Sequence, residues 1–393
     1  MLPEGWEATT LGKIMDFRNG LNFSKSDSKN LIKVVGVSDF SLGNVLSRAD
    51  SLKETYVDQF KDDDLLIEND FLFVRSNGNK SLIGRCLYFP YVPEPISFSG
   101  FTIRGRLKGC SISANYIFQI VAGEYFRKHI NLSGSGTNIS NLSQEILSNT
   151  PLILPPLPEQ KKIAAILSTW DRAIEGTEKL LANSQQQKKA LMQQLLTGKK
   201  RLPGFTGEWE KHRLCDCCHV VMGSSPKSEF YNETGEGLPL LQGNADIKNR
   251  LSCPRIFTSE ITKECQLGDI LLSVRAPVGT VSIALHHACI GRGISSIRVK
   301  KGNSQEFAYQ YFLSIEDRWE RLAQGSTFEA VNGDDIKKLT ILLPSFPEQK
   351  AIAAVLTTAD EEITALESDL SRLRQEKKAL MQQLLTGKIR VAV

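Results

Sequence analysis

A segment of twelve residues, KKALMQQLLTGK, occurs twice in this chain, at positions 188–199 and again at 377–388. Aligning Pro158 with Pro347 extends the match without a gap as far as the shared Gly-Lys, with 26 identities in 42 positions. A weaker similarity joins the start of each half, where Trp6 aligns with Trp209. An internal repeat of this length constrains the architecture before any other feature does, because each copy is one structural element. The chain is therefore two halves, each a variable region followed by a near-identical segment.

Each repeated segment carries the local signals of one long helix. Each copy has a Pro and a Glu at its start and a Gly near its end: Pro158, Glu159 and Gly198; Pro347, Glu348 and Gly387. Pro suits a first helical position, Glu favours the positive end of the helix dipole, and Gly suits the left-handed residue after a helix. About 40 residues at 1.5 Å each make a rod of about 60 Å, which is long enough to need a partner helix.

Apolar residues in both copies follow steps of four and three, which is the period of a coiled-coil seam. The seam positions are Ile163, Leu167, Trp170, Ile174, Thr177, Leu181, Ser184, Lys188, Leu191 and Leu195 in the first copy, and Ile352, Leu356, Ala359, Ile363, Leu366, Leu370, Leu373, Lys377, Leu380 and Leu384 in the second. Two separate amphipathic helices, each lying on its own domain, remain an alternative.

A lysine occupies the same seam position in both copies, and a polar seam residue selects one register at a cost in stability. If the helices pair antiparallel with flush ends, Ile163 faces Leu384. Lys377 would then meet Trp170 in a cation–π contact, and Lys188 would meet the small Ala359.

The two variable regions have the composition of mixed α/β structure with many short strands. Apolar runs such as DFLFVRSNG (70–78) and DILLSVRAPVG (269–279) end in Val-Arg before a Gly turn. Strands do not alternate with long helices, which argues against a doubly wound sheet. We expect an α+β protein divided into a variable domain at 1–150, a helix at 151–200, a second variable domain at 201–342 and a second helix at 343–393.

Composition limits the function classes only mildly. The chain has 48 basic and 44 acidic residues among 393, a net charge of +4, which neither establishes nor excludes nucleic-acid binding. Apolar runs are shorter than the roughly 18 residues that span a bilayer, and the N-terminal residues lack the pattern of a signal peptide. Eight cysteines without an export signal predict reduced thiols and a cytoplasmic protein.

We find no pattern typical of a self-contained catalytic or metal site. Cys215, Cys217, Cys218 and His219 resemble a ligand cluster, but the matching stretch of the first half, LGKIMDFRNG, has no ligand and fills the same strand. Glu-x-Lys in PEQK is a fragment of a nuclease motif, yet it stands where a helix start explains it. We therefore predict no catalytic residue, no metal and no cofactor in this chain.

Polar and basic turns are the remaining candidates for function. Arg, Lys, Asn and Gln contact base edges and phosphates, and small hydroxyl-rich loops can approach the DNA backbone. The candidate DNA-binding residues are Arg75, Asn77, Lys80, Arg85, Arg104, Arg106 and Thr137 in the first half, and Gln242, Asn244, Arg250, Lys263, Arg275, Arg292, Ser326 and Thr327 in the second. Arg75 and Arg275 are predicted to end equivalent strands just before Gly turns and to face DNA, whereas Arg104 could equally be paired inside its own domain.

The order of two variable regions and two repeated helices, with LPPLPEQKKIAAIL and LMQQLLTGK, resembles the specificity subunits of type I restriction-modification enzymes. The resemblance covers the whole chain. It is most specific in the repeated helices, and GDILLSVRAPVG and CIGRGISSIR in the second variable region also resemble the family's target-recognition pattern.

The resemblance implies two target-recognition domains separated by two antiparallel coiled-coil helices, with pseudo-twofold symmetry. Each domain would read one half of a split double-stranded DNA site. It also implies a prokaryotic cytoplasmic complex, in which two modification subunits carry S-adenosylmethionine and methylate adenine. Two restriction subunits would add ATP- and Mg-dependent translocation and cleavage.

Three other interpretations remain open at this point. The chain could be a two-domain coiled-coil adaptor that binds no DNA, or a nuclease with its own active site. It could also be the specificity subunit of a methylation-only system, whose sequence would look the same because restriction resides in another chain.

Overall fold

The computed structural model describes residues 2–22, 30–41, 44–46, 49–57, 60–133, 141–319 and 331–393. The chain forms two compact units. Unit 1 comprises Met1–Gly176 and Leu370–Val393, and unit 2 comprises Thr177–Asp369. Each unit therefore combines one variable region with a stretch of both repeated segments.

Each repeated segment forms one continuous helix of 39 residues, as the local signals predict. The first long helix is Leu157–Leu195 and the second is Phe346–Leu384. Gly198 and Gly387 follow their helices by three residues, with φ angles of 70° and 71°. These angles lie in the left-handed region, which explains why Gly ends both helices.

Unit 1 contains two main sheets and a strand pair that joins the two ends of its variable region. The strand pair is antiparallel and consists of Glu7–Thr10 and Pro151–Leu154. The first sheet is antiparallel, in the order Met15–Asn19, Thr102–Leu107, Asp70–Val74 and Cys86–Phe89. The second sheet has the order Lys53–Val57, Asn30–Val35 and Ile96–Phe98, with a parallel pairing between the last two strands.

Unit 2 also has a strand pair and two sheets, but its sheets consist of more and mostly shorter strands. Its antiparallel strand pair is Glu210–Arg213 with Thr340–Leu343. One sheet has the order Cys218–Met222, Ile294–Val299, Ile270–Ser273, Val281–Ile283, Leu251–Ser252 and Ile247–Lys248. The other has the order Tyr231–Asn232, Ile256–Thr258, Leu238–Leu241, Ala288–Ile290 and Glu264–Cys265, in which Leu238–Leu241 and Ala288–Ile290 are parallel.

Shorter helices complete both units. They are Leu11–Ile14, Ala114–Val121, Glu124–Ser133 and Gln144–Ser148 in unit 1, and Leu214–Cys217, Gln305–Ser314 and Gly333–Lys337 in unit 2. Ala114–Val121 and Gln305–Ser314 are each capped by a serine hydroxyl that accepts a backbone N–H of the first turn.

The strand Asp70–Val74, which is the central strand of unit 1, is apolar on both faces because both faces are covered. Phe71 and Phe73 belong to the cluster that packs against the helices. Leu72 and Val74 alternate with them and belong to a second cluster with the other sheet. Side chains on a strand alternate between faces, so a strand covered on both sides reads as a continuous apolar run.

Within each unit, stretches of the two long helices pack together. In unit 1, Ile163 and Leu167 share a core with Leu384. In unit 2, Leu195 shares a core with Ile352 and Leu356. In both units the start of one long helix therefore lies beside the end of the other, which is the antiparallel direction.

All twenty seam positions are buried or half-buried, while most of the residues between them are exposed. This burial includes Trp170, Leu181, Leu191, Leu370 and Leu380. The period of the burial pattern is therefore that of the apolar pattern in the sequence.

The seam lysines make different contacts from those expected. Lys377 forms an ion pair with Asp171 in unit 1, and Lys188 forms one with Asp360 in unit 2. Each carboxylate lies one residue after the expected neighbour, Trp170 or Ala359. The expected register is therefore nearly right, but the expected cation–π contact of Lys377 is wrong, because a carboxylate within reach is a stronger partner for an ammonium group.

Candidate nucleic-acid interface

A buried carboxylate binds an arginine on the neighbouring strand in both units. In unit 1 the Asp70 carboxylate accepts two hydrogen bonds from Arg106, at 2.8 Å and 2.7 Å. In unit 2 Asp269 accepts two from Arg298, at 2.6 Å and 2.8 Å. The hydrogen bonds that Arg106 donates to Asp70 raise the pKa of Arg106. Arg106 is therefore occupied inside its own domain, which argues against its predicted contact with DNA.

Arg104 is also an internal residue, and this finding corrects its place among the candidates. Its side chain is buried, with 5% of the residue exposed. It donates a hydrogen bond of 2.5 Å to the carbonyl of Asp63 and stands over the Phe98 ring, 5.8 Å from the centroid. Burial lowers the pKa of this guanidinium. Arg104 alternates with Ile103 and Gly105 along its strand, so the sequence pattern alone does not distinguish a buried arginine from an exposed one.

The other candidates of unit 1 lie around the turn after the central strand. Arg75 is half-buried and points its guanidinium at the carbonyl of Gly100, at 3.4 Å. Asn77 accepts the backbone N–H of Asn79 at 2.7 Å, which shapes the turn. Arg85 is half-buried, and Lys80 begins a short 3₁₀ helix, Lys80–Leu82. These residues therefore share one turn region of unit 1.

Unit 2 has a groove with a volume of about 570 Å³ that brings four predicted residues together. Gln242, Asn244, Arg275 and Arg292 all line it. The other lining residues are Ser225, Pro226, Ser228, Tyr231, Gly243, Ser273, Ala276 and Gly293. No acidic side chain lines the groove, so its charge is positive.

Two amide side chains of the groove are held by hydrogen bonds. Gln242 donates to the Tyr231 hydroxyl at 3.0 Å, and its backbone N–H donates to Asp246 at 2.8 Å. Asn244 donates to the Thr280 hydroxyl at 3.0 Å. The groove wall therefore has amide groups in fixed positions, which is the arrangement that selective hydrogen bonding needs.

The backbone beside each groove arginine is also fixed. The Ser273 hydroxyl lies 2.9 Å from the carbonyl of Arg275, and the backbone N–H of Arg292 donates to Ser225 at 3.2 Å. A Cβ on Gly293 would lie 2.2 Å from the carbonyl of Gln242, so only glycine permits this close approach. Both guanidinium groups are exposed.

Two further candidates of unit 2 lie outside the groove lining. Arg250 binds Glu316 through two hydrogen bonds of 2.8 Å, which raise its pKa and occupy its guanidinium. Arg250 is therefore weakened as a candidate for DNA contact. Lys263 is exposed. Thr137, Ser326 and Thr327 lie outside the described residues.

Arg75 and Arg275 are not at equivalent positions, contrary to the sequence alignment. The backbone N–H of Arg75 donates to Phe101, whereas in the matching turn of unit 2 Val274 donates to Gly293. Aligning the buried aspartates, Asp70 and Asp269, also places Arg75 opposite Val274. Unit 2 has one residue more than unit 1 between the aspartate and the arginine. The Val-Arg of unit 2 is therefore shifted by one position relative to the Val-Arg of unit 1.

Sequence reasoning missed the other eight lining residues, and three polar ones among them belong to a single segment. Ser225, Ser228 and Tyr231 come from the segment SSPKSEFY (224–231), which follows the strand Cys218–Met222 and ends at the first residue of the strand Tyr231–Asn232. The only available signal was a short polar run that ends in a tyrosine. Nothing in the sequence placed that run beside Gln242.

Two cysteines of the cluster noted in the sequence belong to the core of unit 2. Cys217 and Cys218 are buried where a short helix meets the strand Cys218–Met222. Across the described part of the chain, no group of three or more His, Cys, Asp or Glu side chains could hold a metal ion. In the same ranges, no helix combines the length and apolar character that crossing a membrane requires.

Comparisons with known proteins agree on one family. The family described as type I restriction modification DNA specificity domain matches residues 3–183 and 206–373. The chain is 33% identical to the MjaX specificity subunit of a type I restriction enzyme from Methanocaldococcus jannaschii, over 99% of this chain and 95% of the relative. It is 23% identical to the EcoKI specificity subunit from Escherichia coli, over 99% and 90% of the two chains.

Solved structures have a similar fold. One chain from a study of complex assembly and conformational transition in a type I restriction-modification system has a TM-score of 0.64 and 25% identity, covering 99% of this chain and all of that one. The type I S subunit from M. genitalium has a TM-score of 0.63 and 14% identity, covering 97% and 96%. The second likeness concerns the fold alone.

Proposed function

This chain belongs to the family of type I restriction-modification DNA specificity proteins, and we propose that each of its two units reads one half of a bipartite, asymmetric DNA site. The observation that carries the proposal is a shared framework with different exposed residues. The same ion pairs occur in both units, whereas the residues exposed on the turns beside the central strands differ between the units. Equal frameworks with unequal turns are what two recognition domains for two different half-sites require.

The shared framework can be defined by three contacts. In unit 1 they are Asp70–Arg106, Glu159–Arg390 and Lys377–Asp171, and in unit 2 they are Asp269–Arg298, Glu348–Arg201 and Lys188–Asp360. In each unit the first contact joins two neighbouring strands of the variable region, the second joins the start of one long helix to the segment after the other, and the third joins the two long helices. The correspondence supports a pseudo-twofold arrangement, which also matches the pseudo-dyad of duplex DNA.

The repeat supports a further part of the proposal, which concerns the partners. Two identical modification subunits need two identical docking surfaces, and the near-identical helices supply repeated exposed residues. We propose that the helices dock two modification subunits and set the unread spacer between the half-sites. Two restriction subunits would join the same complex.

The chemistry of such an enzyme would lie in the partner subunits. S-adenosylmethionine would be held by the modification subunits, and ATP and Mg would be used by the restriction subunits. This chain would contribute the choice of sequence, through contacts with double-stranded DNA, and no catalytic residue. The specificity subunit of a methylation-only system would have the same structure, because restriction resides in another chain.

The test is methylation mapping after co-expression with the matching modification subunits in a host that lacks adenine methylation. We expect adenine methylation at one motif made of two different half-sites and a fixed spacer. Failure of the complex to methylate any motif would contradict the proposal.

Two measurements separate the alternatives. Affinity for duplex DNA that falls steeply as salt rises would indicate phosphate contacts, whereas a coiled-coil adaptor would show no duplex binding. Metal-dependent cleavage by the isolated chain would instead indicate a nuclease.

A further inference from the structure

The arginines of unit 2 differ in whether an acid neutralises them. Four of them bind carboxylates: Arg201 with Glu348, Arg250 with Glu316, Arg255 with Asp246 and Arg298 with Asp269. In the part of the chain that the structure describes, the side chains of Arg275 and Arg292 have neither an ion pair nor a hydrogen bond. Both line the same groove.

Two unneutralised guanidinium groups beside one groove repel each other, so a ligand with acceptor oxygen or nitrogen atoms would stabilise them. A guanidinium has a planar fork of donors, and that fork matches the O6 and N7 acceptors of guanine in the major groove. It also matches a phosphate group. The surroundings of the arginines must therefore decide between the two.

Three features of the groove favour a base over a phosphate. The arginines line a concave groove of about 570 Å³ rather than a convex ridge. The amides of Gln242 and Asn244 form part of its wall, and amides are groups that read base edges. The backbone beside both arginines is fixed by Ser273 and Ser225, which limits where the guanidinium groups can reach.

We propose that this groove reads guanine in the half-site of unit 2, with Arg275 and Arg292 as its donors. The inference rests on the proposed function, because the groove meets a base only if unit 2 binds DNA. Gln242 and Asn244 line the same groove beside these donors.

The contact with guanine is assigned to unit 2 and not to unit 1. The turn that carries Arg292 and Gly293 in unit 2 corresponds to Gly100 and Phe101 in unit 1, since Val274 and Arg75 donate to its matching carbonyls. No residue of this turn in unit 1 therefore carries a guanidinium, and the one that reaches the turn, from Arg75, donates to the carbonyl of Gly100. The turn has instead a phenylalanine that is 60% exposed.

The experiment uses the complete complex with its modification subunits and its mapped motif. Each guanine of the half-site assigned to unit 2, on either strand, is replaced in turn by 7-deazaguanine, which lacks the N7 acceptor. We expect at least one replacement to weaken binding of the wild-type complex about tenfold. The same replacement should cause little further loss in Arg275→Lys or Arg292→Lys, because lysine keeps the charge but lacks the planar fork.

Lys301→Ala is the matched control. It removes one exposed cation from unit 2 outside the groove lining, and it should leave the effect of 7-deazaguanine unchanged. Circular dichroism of each variant checks that the fold is retained.

Several results would overturn the inference. A half-site of unit 2 without guanine on either strand would do so. Lysine variants that respond to 7-deazaguanine as strongly as the wild type would show that the arginines do not read that base. Alanine variants that weaken all duplexes equally, with lysine restoring affinity, would show phosphate contacts instead. In each case the complex still methylates a bipartite motif, so these outcomes differ from a failure of the proposed function.

Discussion

At the scale of single residues, the carboxylate of Asp269 is a buried acceptor of several hydrogen bonds in unit 2. It is 1% exposed and accepts hydrogen bonds from Arg298, Ser296 and the backbone of Gln266. Burial alone would raise the pKa of Asp269, but these donors hold it below its ordinary value. The ionised form is therefore the one that the folded state requires.

Asp269→Asn should destabilise unit 2 by about 1–3 kcal/mol, because it leaves buried donors without their acceptor. The sign of the pH dependence follows from the lowered pKa. The contribution of Asp269 is present above the unfolded pKa of about 3.9 and is lost as pH falls through the folded value. Hydrogen exchange of unit 2 peptides between neutral and acid pH measures both effects.

Asp317→Asn is the control for this prediction, because Asp317 is exposed in the same unit. It should leave exchange unchanged. Equal exchange protection in Asp269→Asn and Asp317→Asn would contradict the role assigned to the buried carboxylate.

Residue roles were only partly predictable from the sequence. Side-chain chemistry alone makes Gln242, Asn244, Arg275 and Arg292 candidates, and the structure places them around one groove. Arg104 and Arg106 have the same chemistry but have internal partners, since the sequence does not show which acid faces which strand. The shift between Arg75 and Arg275 depends on one additional strand residue, which a local alignment hides.

At the scale of elements, each unit contains the same joint between a long helix, its antiparallel neighbour and a short helix. In unit 1 Asp171 binds Lys377 of the second long helix and accepts the amide of Gln119 at 2.9 Å. In unit 2 Asp360 binds Lys188 and accepts the amide of Gln310 at 2.8 Å. The joint fixes the register of the helices and their contact with the variable region together.

Asp171→Asn should destabilise unit 1 by about 1–3 kcal/mol, because it leaves the ammonium of Lys377 without a counter-charge at 17% side-chain exposure. Lys377→Met, which removes the charge and keeps the length, should cost less or should stabilise the seam. Denaturant unfolding, with hydrogen exchange to assign the unit, measures both variants.

Lys162→Gln provides the control on an exposed face of the first long helix. Asp360→Asn should reproduce the effect in unit 2. If Asp171→Asn is as stable as Lys162→Gln, the joint does not hold the register.

The long helices were the most predictable elements. Their proline starts, glycine ends and seam follow from local chemistry and a regular period, which do not depend on distant residues. The seam lysines show where that reasoning ends. A period places each lysine in the seam, but it does not choose between Trp170 and the adjacent Asp171 as a partner.

At the scale of the whole molecule, the proposed role of the helices is to set the distance between two half-sites. Inserting four residues between Thr364 and Ala365 would lengthen the second long helix by about 6 Å, roughly one turn. We expect the unread spacer to grow by one or two base pairs, at about 3.4 Å each, while both half-site sequences stay the same.

The control insertion places four residues between Lys301 and Gly302, in an exposed turn outside the long helices. It should leave the spacer unchanged. Methylation mapping of both variants is the measurement, and an active helix-insertion variant with an unaltered spacer would show that the helices do not set the distance.

Domain exchange tests most directly whether the two halves are independent DNA readers. Residues 20–150 are replaced by the corresponding region of another specificity subunit, and adenine methylation is mapped for the parent and exchanged complexes. We predict that one half of the motif changes while the other half and the spacer are retained. If both halves change together, the two units do not read DNA independently, and the modular function proposed for this chain is wrong.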